Sequence, residues 1–181
     1  MSDGQFVVSS ARTVGRGRFL RLDEVRLRSP SGVEIVRDIV RHPGGVAVLA
    51  IDDSGNVWMI RQHRAALGKD MDEIPAGKLD TSDFDTARAA RRELAEELGA
   101  TARHLEHLAT MAPSPGYTDE VLEIYLATGL EFGERNPDGE EEIQATLFSI
   151  PVSEALDRIS SGAITDAKTQ VALLQWMRRQ A

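Results

Sequence analysis

The segment Arg92–Gly99, which reads Arg-Glu-Leu-Ala-Glu-Glu-Leu-Gly, constrains the fold of this chain more than any other. In a helix with 3.6 residues per turn, Glu93, Glu96 and Glu97 lie on one side. The apolar residues on the opposite side are Ala87, Ala90, Leu94 and Leu98. The pattern therefore predicts an amphipathic helix over residues 86–98 whose apolar side packs on a core.

The acidic side of this helix needs an explanation of its own. Carboxylates at these spacings repel each other and destabilise an isolated helix. A hard divalent cation would relieve the repulsion, and Mg²⁺ binds carboxylate oxygens together with the phosphate oxygens of a substrate. The alternative is a solvated acidic helix face, which is what an isolated Glu-x-x-Glu-Glu pattern usually means.

The composition excludes several classes of function. There is no cysteine among the 181 residues, so disulfides, zinc–thiolate sites and thiol catalysis are excluded. The formal net charge of −8 argues against tight binding of nucleic acid. No stretch reaches the length of a membrane span and the N-terminus lacks a signal-peptide pattern. We therefore expect a cytoplasmic protein with no nucleic-acid or membrane partner.

The remaining pattern predicts strands interleaved with a few helices. Two strands over residues 18–29 and 33–41 form a hairpin before a break at His42–Gly45. Further strands are predicted over residues 46–51, 56–60, 105–111 and 121–127, and further helices over residues 152–160 and 165–178. This order favours an α+β fold with a mixed sheet. We expect a small N-terminal antiparallel β region over residues 1–43 and a main domain over residues 44–181.

Residues that favour helix ends support two of the helices. Asp85 and Asp166 are suited to N-cap positions, since their carboxylates accept hydrogen bonds from main-chain amides of the first turn. Gly99 is placed where a helix can end in a left-handed conformation.

A glycine loop, Ile74–Asp80, precedes the glutamate-bearing helix. Glycine at position 77 lets the main chain approach a ligand closely, and the carbonyl oxygen of Ala76 is a potential metal ligand there. The run Gly77–Ala100 resembles the signature box of the Nudix hydrolases, with its glycine, its acid and its Arg-Glu-aliphatic-x-Glu-Glu-x-Gly core. The resemblance implies an α/β/α Nudix sandwich with a mixed sheet, and it favours a metal site over a solvated helix face.

The box departs from the family pattern at one place. Between Gly77 and Arg92 the chain has one extra residue and lacks the early glutamate of the family. Asp83 keeps the family's distance from the glycine, whereas Asp85 lies nearer the helix. Either aspartate could replace the missing glutamate.

The resemblance implies a role for each residue of the box. Glu93 and Glu97 would be the principal ligands of Mg²⁺, for which Mn²⁺ could substitute, and Glu96 would join when further metals bind with substrate. Ala76 would supply its carbonyl oxygen. Arg92 would hold the carboxylates in place through charge-assisted hydrogen bonds. The reaction would be the attack of water on one phosphorus of a nucleoside diphosphate linked to another group.

The segments around the box resemble the ADP-ribose pyrophosphatase branch of this family. The lead-in Glu73–Asp80 matches that branch, and so does the loop Ser114–Glu120 with Pro115 and Gly116. The resemblance implies that Glu73, Pro115 and Gly116 contact substrate. It also implies a homodimer in which the N-terminal strands are exchanged between two subunits.

Three arginines are further candidates for substrate binding. Arg61 and Arg64 follow a predicted buried strand and could clamp phosphates bidentately, although surface arginines are an equal alternative. Arg37, in the N-terminal strands, is the weaker candidate.

The base that activates water has to come from elsewhere in the chain. The acidic loop Asn136–Ile143 lies where this branch carries a mobile catalytic glutamate, which implies Glu141 or Glu140. A solvated acidic loop is the alternative for each of them.

These observations favour one function and leave two others open. The leading hypothesis is the Mg²⁺-dependent hydrolysis of ADP-ribose, or a related nucleoside diphosphate sugar, to AMP and a sugar phosphate, which is ribose 5-phosphate for ADP-ribose. A GDP-sugar or a dinucleotide could be the preferred substrate instead. A module that senses ADP-ribose without catalysis is the third hypothesis, and the complete set of box glutamates argues against it.

Overall fold

The computed structural model, which describes residues 5–80, 83, 85–137 and 139–180, divides the chain into two compact units. The first unit combines the described residues up to Gly44 with Ala112–Val121. The second unit comprises Gly45–Met111 and the described residues from Leu122 onward. The sequence had grouped residues 112–121 with the main domain, and the structure clusters them with the N-terminal strands instead.

The first unit contains a three-stranded antiparallel sheet. Its strands are β1 (Val7–Arg16), β2 (Arg21–Arg28) and β3 (Glu34–Arg41), in the order β1-β2-β3. The predicted hairpin corresponds to β2 and β3, joined by a turn in which Gly32 has a φ of 85°. The sequence did not predict β1. Almost all of its side chains are exposed, so it lacks the alternation that identifies a half-buried strand.

Residues 112–121 join this unit through hydrogen bonds to the end of β3. The main-chain N–H of Val40 donates to the carbonyl of Tyr117 at 2.7 Å, and the N–H of Asp119 donates to the carbonyl of Val40 at 3.2 Å. The carboxylate of Asp119 accepts from the His42 N–H at 2.8 Å and from Arg41 Nη1 at 3.1 Å. Because the partners lie far apart in sequence, local pattern could not predict this pairing.

The second unit is built on a mixed sheet. Its strands are β4 (Gly45–Ile51), β5 (Asn56–Arg64), β6 (Lys69–Glu73), β7 (Ala76–Lys78), β8 (Ala100–Met111), β9 (Leu122–Phe132) and β10 (Thr146–Pro151). Its helices are α1 (Thr86–Leu98), α2 (Glu140–Ile143), α3 (Val152–Ser160) and α4 (Ala167–Gln180). The order is β10-β5-β4-β9-β8, with β6 paired to β5 and β7 paired to β4. β4 and β9 run parallel and the other pairs are antiparallel, which confirms the predicted mixed sheet.

Helices cover both faces of this sheet. Every residue of β4 is buried, as expected for an uninterrupted apolar strand. Val46, Val48 and Ala50 pack in a cluster with α1, whereas the alternate residues pack in a second cluster with α3 and α4. This confirms the predicted α/β/α sandwich. No helix in the described part of the chain is both long enough and apolar enough to cross a membrane.

The predicted helix ends are also confirmed. Asp85 caps α1 by accepting a hydrogen bond from the Ala87 N–H at 2.9 Å, and Gly99 ends it with a φ of 64°. Asp166 caps α4 by accepting from the Thr169 N–H at 3.0 Å. α3 has the predicted bounds, and α4 lies two residues later than predicted.

Candidate active site

The acidic side of α1 faces the short strand β7. Glu93 and Glu97, one turn apart, are only 4% and 3% exposed. The N–H of Ala76 donates to Glu97 Oε2 at 2.8 Å. A Cβ atom at position 77 would overlap the carboxylate of Glu93, so the close approach of helix and strand requires glycine there. The structure thus brings four predicted site residues together at one point: Ala76, Gly77, Glu93 and Glu97.

Replacing Gly77 tests this packing. We expect Gly77→Ala to displace the Glu93 carboxylate, to destabilise the protein by about 1–3 kcal/mol and to weaken metal binding. Denaturant unfolding and Mg²⁺ titration of the substrate-free protein measure the two effects. Gly55→Ala is the control for adding a methyl group to a glycine in open space, although its φ of 79° adds backbone strain. Equal metal affinity in Gly77→Ala and the wild type would contradict the packing.

Burial makes the two carboxylates unusually basic. Burial raises the pKa of Glu93 to about 7. The charge of Arg92 opposes this rise, whereas the charges of Glu96 and Glu142 add to it. Burial likewise raises the pKa of Glu97 to about 8. The hydrogen bond from the Ala76 N–H and the charge of Lys168 oppose this rise, and the charges of Glu93 and Glu142 add to it. Two buried carboxylates that resist ionisation beside each other require a positive charge if both are to ionise at neutral pH.

This donor set fits a hard divalent cation. Glu93 and Glu97 offer carboxylate oxygens, and Mg²⁺ commonly takes one or two carboxylates while keeping waters or phosphate oxygens for its other positions. Within the part of the chain that the structure describes, no three histidine or acidic side chains are preassembled around one metal position. The fit therefore rests on the buried pair next to Ala76.

The raised pKa values predict how pH changes the stability of the metal-free protein. Between the ordinary carboxyl pKa of 4.5 and about 7 to 8, the folded protein holds protons that the unfolded chain has released. Stability should therefore fall as pH rises through this range, by up to about 1.4 kcal/mol per pH unit for each such group. Melting temperatures in EDTA from pH 5 to 8.5 measure this, and Mg²⁺ should restore stability most at the alkaline end. The control is the double variant Glu93→Gln, Glu97→Gln, which should lose most of this dependence; an unchanged profile would contradict the assignment.

Arg92 binds the acidic residues around it, as the resemblance implied. Its Nη1 contacts Glu93 Oε1 at 2.7 Å and Glu96 Oε2 at 3.0 Å. Its Nη2 donates to Asp83 Oδ2 at 3.2 Å. Asp83 therefore lies in the arginine network, whereas Asp85 is engaged as the N-cap of α1. Of the two aspartates that the sequence left open, the structure places Asp83 beside the box.

The three glutamates of α2 have different surroundings. Glu142 is the one whose charge raises the pKa of both Glu93 and Glu97. Glu140 and Glu141, the predicted catalytic bases, instead line a cleft of about 360 Å³ together with Arg61 and His63. Sequence reasoning did not single out Glu142. A signal existed, since consecutive residues of one helical turn point about 100° apart and only one of three can face a given site.

Arg135 holds the main chain of this segment. Its Nη2 donates to the carbonyl of Glu142 at 3.0 Å. The loop that carries it packs on the end of α1, where the Gly133 N–H donates to the Gly99 carbonyl at 2.6 Å. The position of Glu142 is thereby coupled to the helix that bears Glu93 and Glu97. This contact could not be predicted from the local sequence pattern.

Two predicted substrate-binding residues are paired with each other. Arg64 donates to both carboxylate oxygens of Glu73, at 2.8 and 2.6 Å, and Lys168 also contacts Glu73. Burial raises the pKa of Glu73, but the hydrogen bonds and charges of Arg64 and Lys168 outweigh it and leave the pKa below its ordinary value. Glu73 is 1% exposed, so its carboxylate is committed to this buried cluster. Lys168 was not predicted from the sequence.

The remaining candidates lie apart from the carboxylate pair or in the first unit. Arg61 makes a bidentate ion pair with Asp72, at 2.6 and 2.8 Å, beside the 360 Å³ cleft. Arg37 is exposed on β3, where its guanidinium donates to the main chain. Pro115 and Gly116 are exposed in the turn that belongs to the first unit.

The fold and the carboxylate site together match a known family. A model of the NUDIX domain matches residues 41–176. This range includes most of the second unit and, from the first unit, residues 41–44 and Ala112–Val121. The chain belongs to the NUDIX family. The resemblance inferred from the signature box is therefore confirmed, and the helix α1 with its preceding glycine loop is the Nudix box of this protein.

Several relatives of this Nudix protein resemble it over most of their length. The ADP-ribose pyrophosphatase of Bacillus subtilis is 36% identical over 162 residues, which cover 90% of this chain and 86% of that one. The ADP-ribose pyrophosphatase of Mycobacterium tuberculosis is 35% identical over 92% of this chain and 81% of its own. A methanol dehydrogenase activator of Bacillus methanolicus is 40% identical over 92% and 88% of the two chains.

A solved structure shows the same fold. The crystal structure of an ADP compounds hydrolase superposes with a TM-score of 0.83 and covers 100% of this chain and 98% of its own. The sequence identity is 22%, so this likeness concerns the fold alone.

Proposed function

We propose that this Nudix protein hydrolyses the pyrophosphate of ADP-ribose to AMP and ribose 5-phosphate. The observation that carries the proposal is the buried pair Glu93 and Glu97 against Gly77, with the charge of Glu142 nearby. Whole-length similarity to two ADP-ribose pyrophosphatases supports the choice of substrate. A cytoplasmic location stays a prediction of the sequence.

We propose that Glu93 and Glu97 hold Mg²⁺, or Mn²⁺ in its place, with Glu96 and the Ala76 carbonyl as further donors. When bound, the cation neutralises charge on the pyrophosphate and makes water a better nucleophile. Arg92 keeps Glu93 and Glu96 oriented through its ion pairs. In the reaction, water adds to one phosphorus, the bridging P–O bond breaks, and the proton of the water passes to a carboxylate.

We assign that carboxylate to Glu142 rather than to Glu140 or Glu141. A general base must lie close to the water it deprotonates, and the assignment is supported by the charge of Glu142, which raises the pKa of both proposed metal ligands. Glu140 is hydrogen bonded to Gln144 at 2.9 Å on the side of the cleft.

The test is a substrate panel with and without Mg²⁺. We expect the highest kcat/KM for ADP-ribose, with AMP as product and no turnover in EDTA. GDP-mannose belongs in the panel, because a GDP-mannose pyrophosphatase of Cronobacter sakazakii is 32% identical over 78% of this chain. A higher kcat/KM for GDP-mannose would favour that second function, and no hydrolysis of any nucleoside diphosphate sugar would leave only the sensing module.

We also propose that the protein is a homodimer that exchanges its N-terminal region, residues 1–43. The first unit exposes large apolar side chains on β1 and beside its strands, among them Phe6 at 58%, Val7 at 62% and Val33 at 58%. Such side chains mark surfaces that associate. Light scattering of the purified protein should give twice the 19.8 kDa chain mass, and a monomer at micromolar concentration would contradict the proposal.

A further inference from the structure

A buried hydroxyl at the start of α4 connects this helix to the segment next to the carboxylate pair. Thr169 is 0% exposed. Its Oγ1 donates to Asp166 Oδ2 at 2.6 Å and accepts from the main-chain N–H of Ile74 at 2.9 Å. Thr169 and Ile74 are 95 positions apart in the chain.

Three elements contribute hydrogen bonds to the segment Ile74–Ala76, and Ala76 is also paired with Ala47 of β4. The Ile74 N–H bonds to Thr169 on α4, and the Pro75 carbonyl accepts from the Val48 N–H on β4 at 2.8 Å. The Ala76 N–H donates to Glu97 on α1 at 2.8 Å. Ile74 lies between β6 and β7, outside both strands, so the threonine supplies a bond that a strand neighbour would otherwise make.

The residue between the two amides makes the segment stiff. Pro75 has a fixed φ and no N–H of its own. Residue 75 therefore has one main-chain rotation fewer with which to absorb a displacement at Ile74 before it reaches Ala76. The Ala76 N–H in turn orients Glu97 Oε2, to which it donates a hydrogen bond at 2.8 Å.

We propose that Thr169 is a positioning residue for the metal-ligating carboxylate of Glu97, acting through the segment Ile74–Ala76. This inference rests on the proposed function, because it takes Glu97 as a metal ligand. Lys168, the neighbour of Thr169 on α4, and Arg64 also hold the buried Glu73 that precedes this segment.

The alternative is that the hydroxyl only stabilises the fold. A buried hydrogen bond of this kind affects stability wherever it lies, so a lower melting temperature alone cannot distinguish the two. A positioning role predicts further effects when the Thr169 hydroxyl is removed. Metal binding to the folded protein should weaken and the Ile74 and Ala76 amides should exchange faster. Both properties should recover when the hydroxyl is restored.

The experiment compares Thr169→Val, which keeps the size of the side chain and removes its hydroxyl, with Thr169→Ser, which keeps the hydroxyl. Mg²⁺ affinity is measured by calorimetry on substrate-free protein well below the melting temperature, and amide exchange by NMR or mass spectrometry. We expect Thr169→Val to raise the Mg²⁺ Kd by about tenfold and to lower kcat, as is typical for groups that orient a metal ligand. Thr169→Ser should stay near the wild type. Thr110→Val, which removes an exposed hydroxyl bonded to Glu123, is the matched control and should change neither.

The outcomes separate this inference from the proposed function. If Glu97→Gln weakens Mg²⁺ binding but Thr169→Val lowers only the melting temperature, the positioning role is overturned and the proposed function stands. If Glu97→Gln binds Mg²⁺ as tightly as the wild type, the metal assignment fails and the positioning role fails with it. Should Thr169→Val not fold, Thr169→Cys, whose thiol is a weak acceptor of similar size, takes its place with the same expectations.

Discussion

Glu97→Gln should lower kcat on the order of 10³-fold while the protein remains folded. Glutamine has the same shape and can still accept the hydrogen bond from the Ala76 N–H, so the packing of α1 on β7 should survive. What it lacks is the negative charge that a divalent cation requires. Steady-state hydrolysis of ADP-ribose with titrated Mg²⁺, together with Mg²⁺ calorimetry, measures the loss of rate and of affinity.

A stability measurement makes this prediction sharper. Since burial raises the pKa of Glu97 to about 8, the charged carboxylate destabilises the metal-free protein in alkaline solution. Glu97→Gln should therefore melt at the same temperature as the wild type or higher, in EDTA at pH 8.5. Glu131→Gln, on an exposed glutamate paired with Arg103, is the matched control and should keep full activity. Full activity of Glu97→Gln would remove this residue from the metal site.

The second large effect is expected at α2. Glu142→Gln should lower kcat by about 10²–10⁴-fold, the usual contribution of a general base, and should leave KM nearly unchanged. The reason is that a general base accepts the proton of water only during the reaction.

Glu140→Gln and Glu141→Gln are the controls for this experiment, since they make the same chemical change in the same helical turn. Both side chains line the cleft beside Arg61, so we expect effects of less than about fivefold, well below the range for a lost base. A large loss in Glu141→Gln with an active Glu142→Gln would return the base to the residue that the sequence alone indicated.

The helix of the Nudix box could be predicted from the sequence because everything that defines it is local. Glu93 and Glu97 are one turn apart, the apolar residues of α1 lie on the other side, and Asp85 and Gly99 mark its ends. The need for glycine at position 77 was also predictable, although its reason is a contact: the Glu93 carboxylate occupies the space that a Cβ atom would fill.

Other features of the structure depend on contacts or exposure that the local sequence pattern does not report. The sequence offered Arg64 and Glu73 as separate substrate contacts, and the structure pairs them with each other beside Lys168. It missed β1 because an exposed strand carries no hydrophobic alternation. It left Asp83 and Asp85 unresolved, since only folding shows which one reaches Arg92.

The sequence by itself determined the chemistry of this protein: a charged helix face of three glutamates, held near a glycine loop, which identifies a Nudix box. The tertiary structure decided which residues complete it. The hydrophobic periodicity of a segment shows which of its own side chains are buried. It does not show which residues of a distant helix or strand pack against them. Thus Thr169 contacts Ile74 because the sheet and its two helical layers bring these segments together.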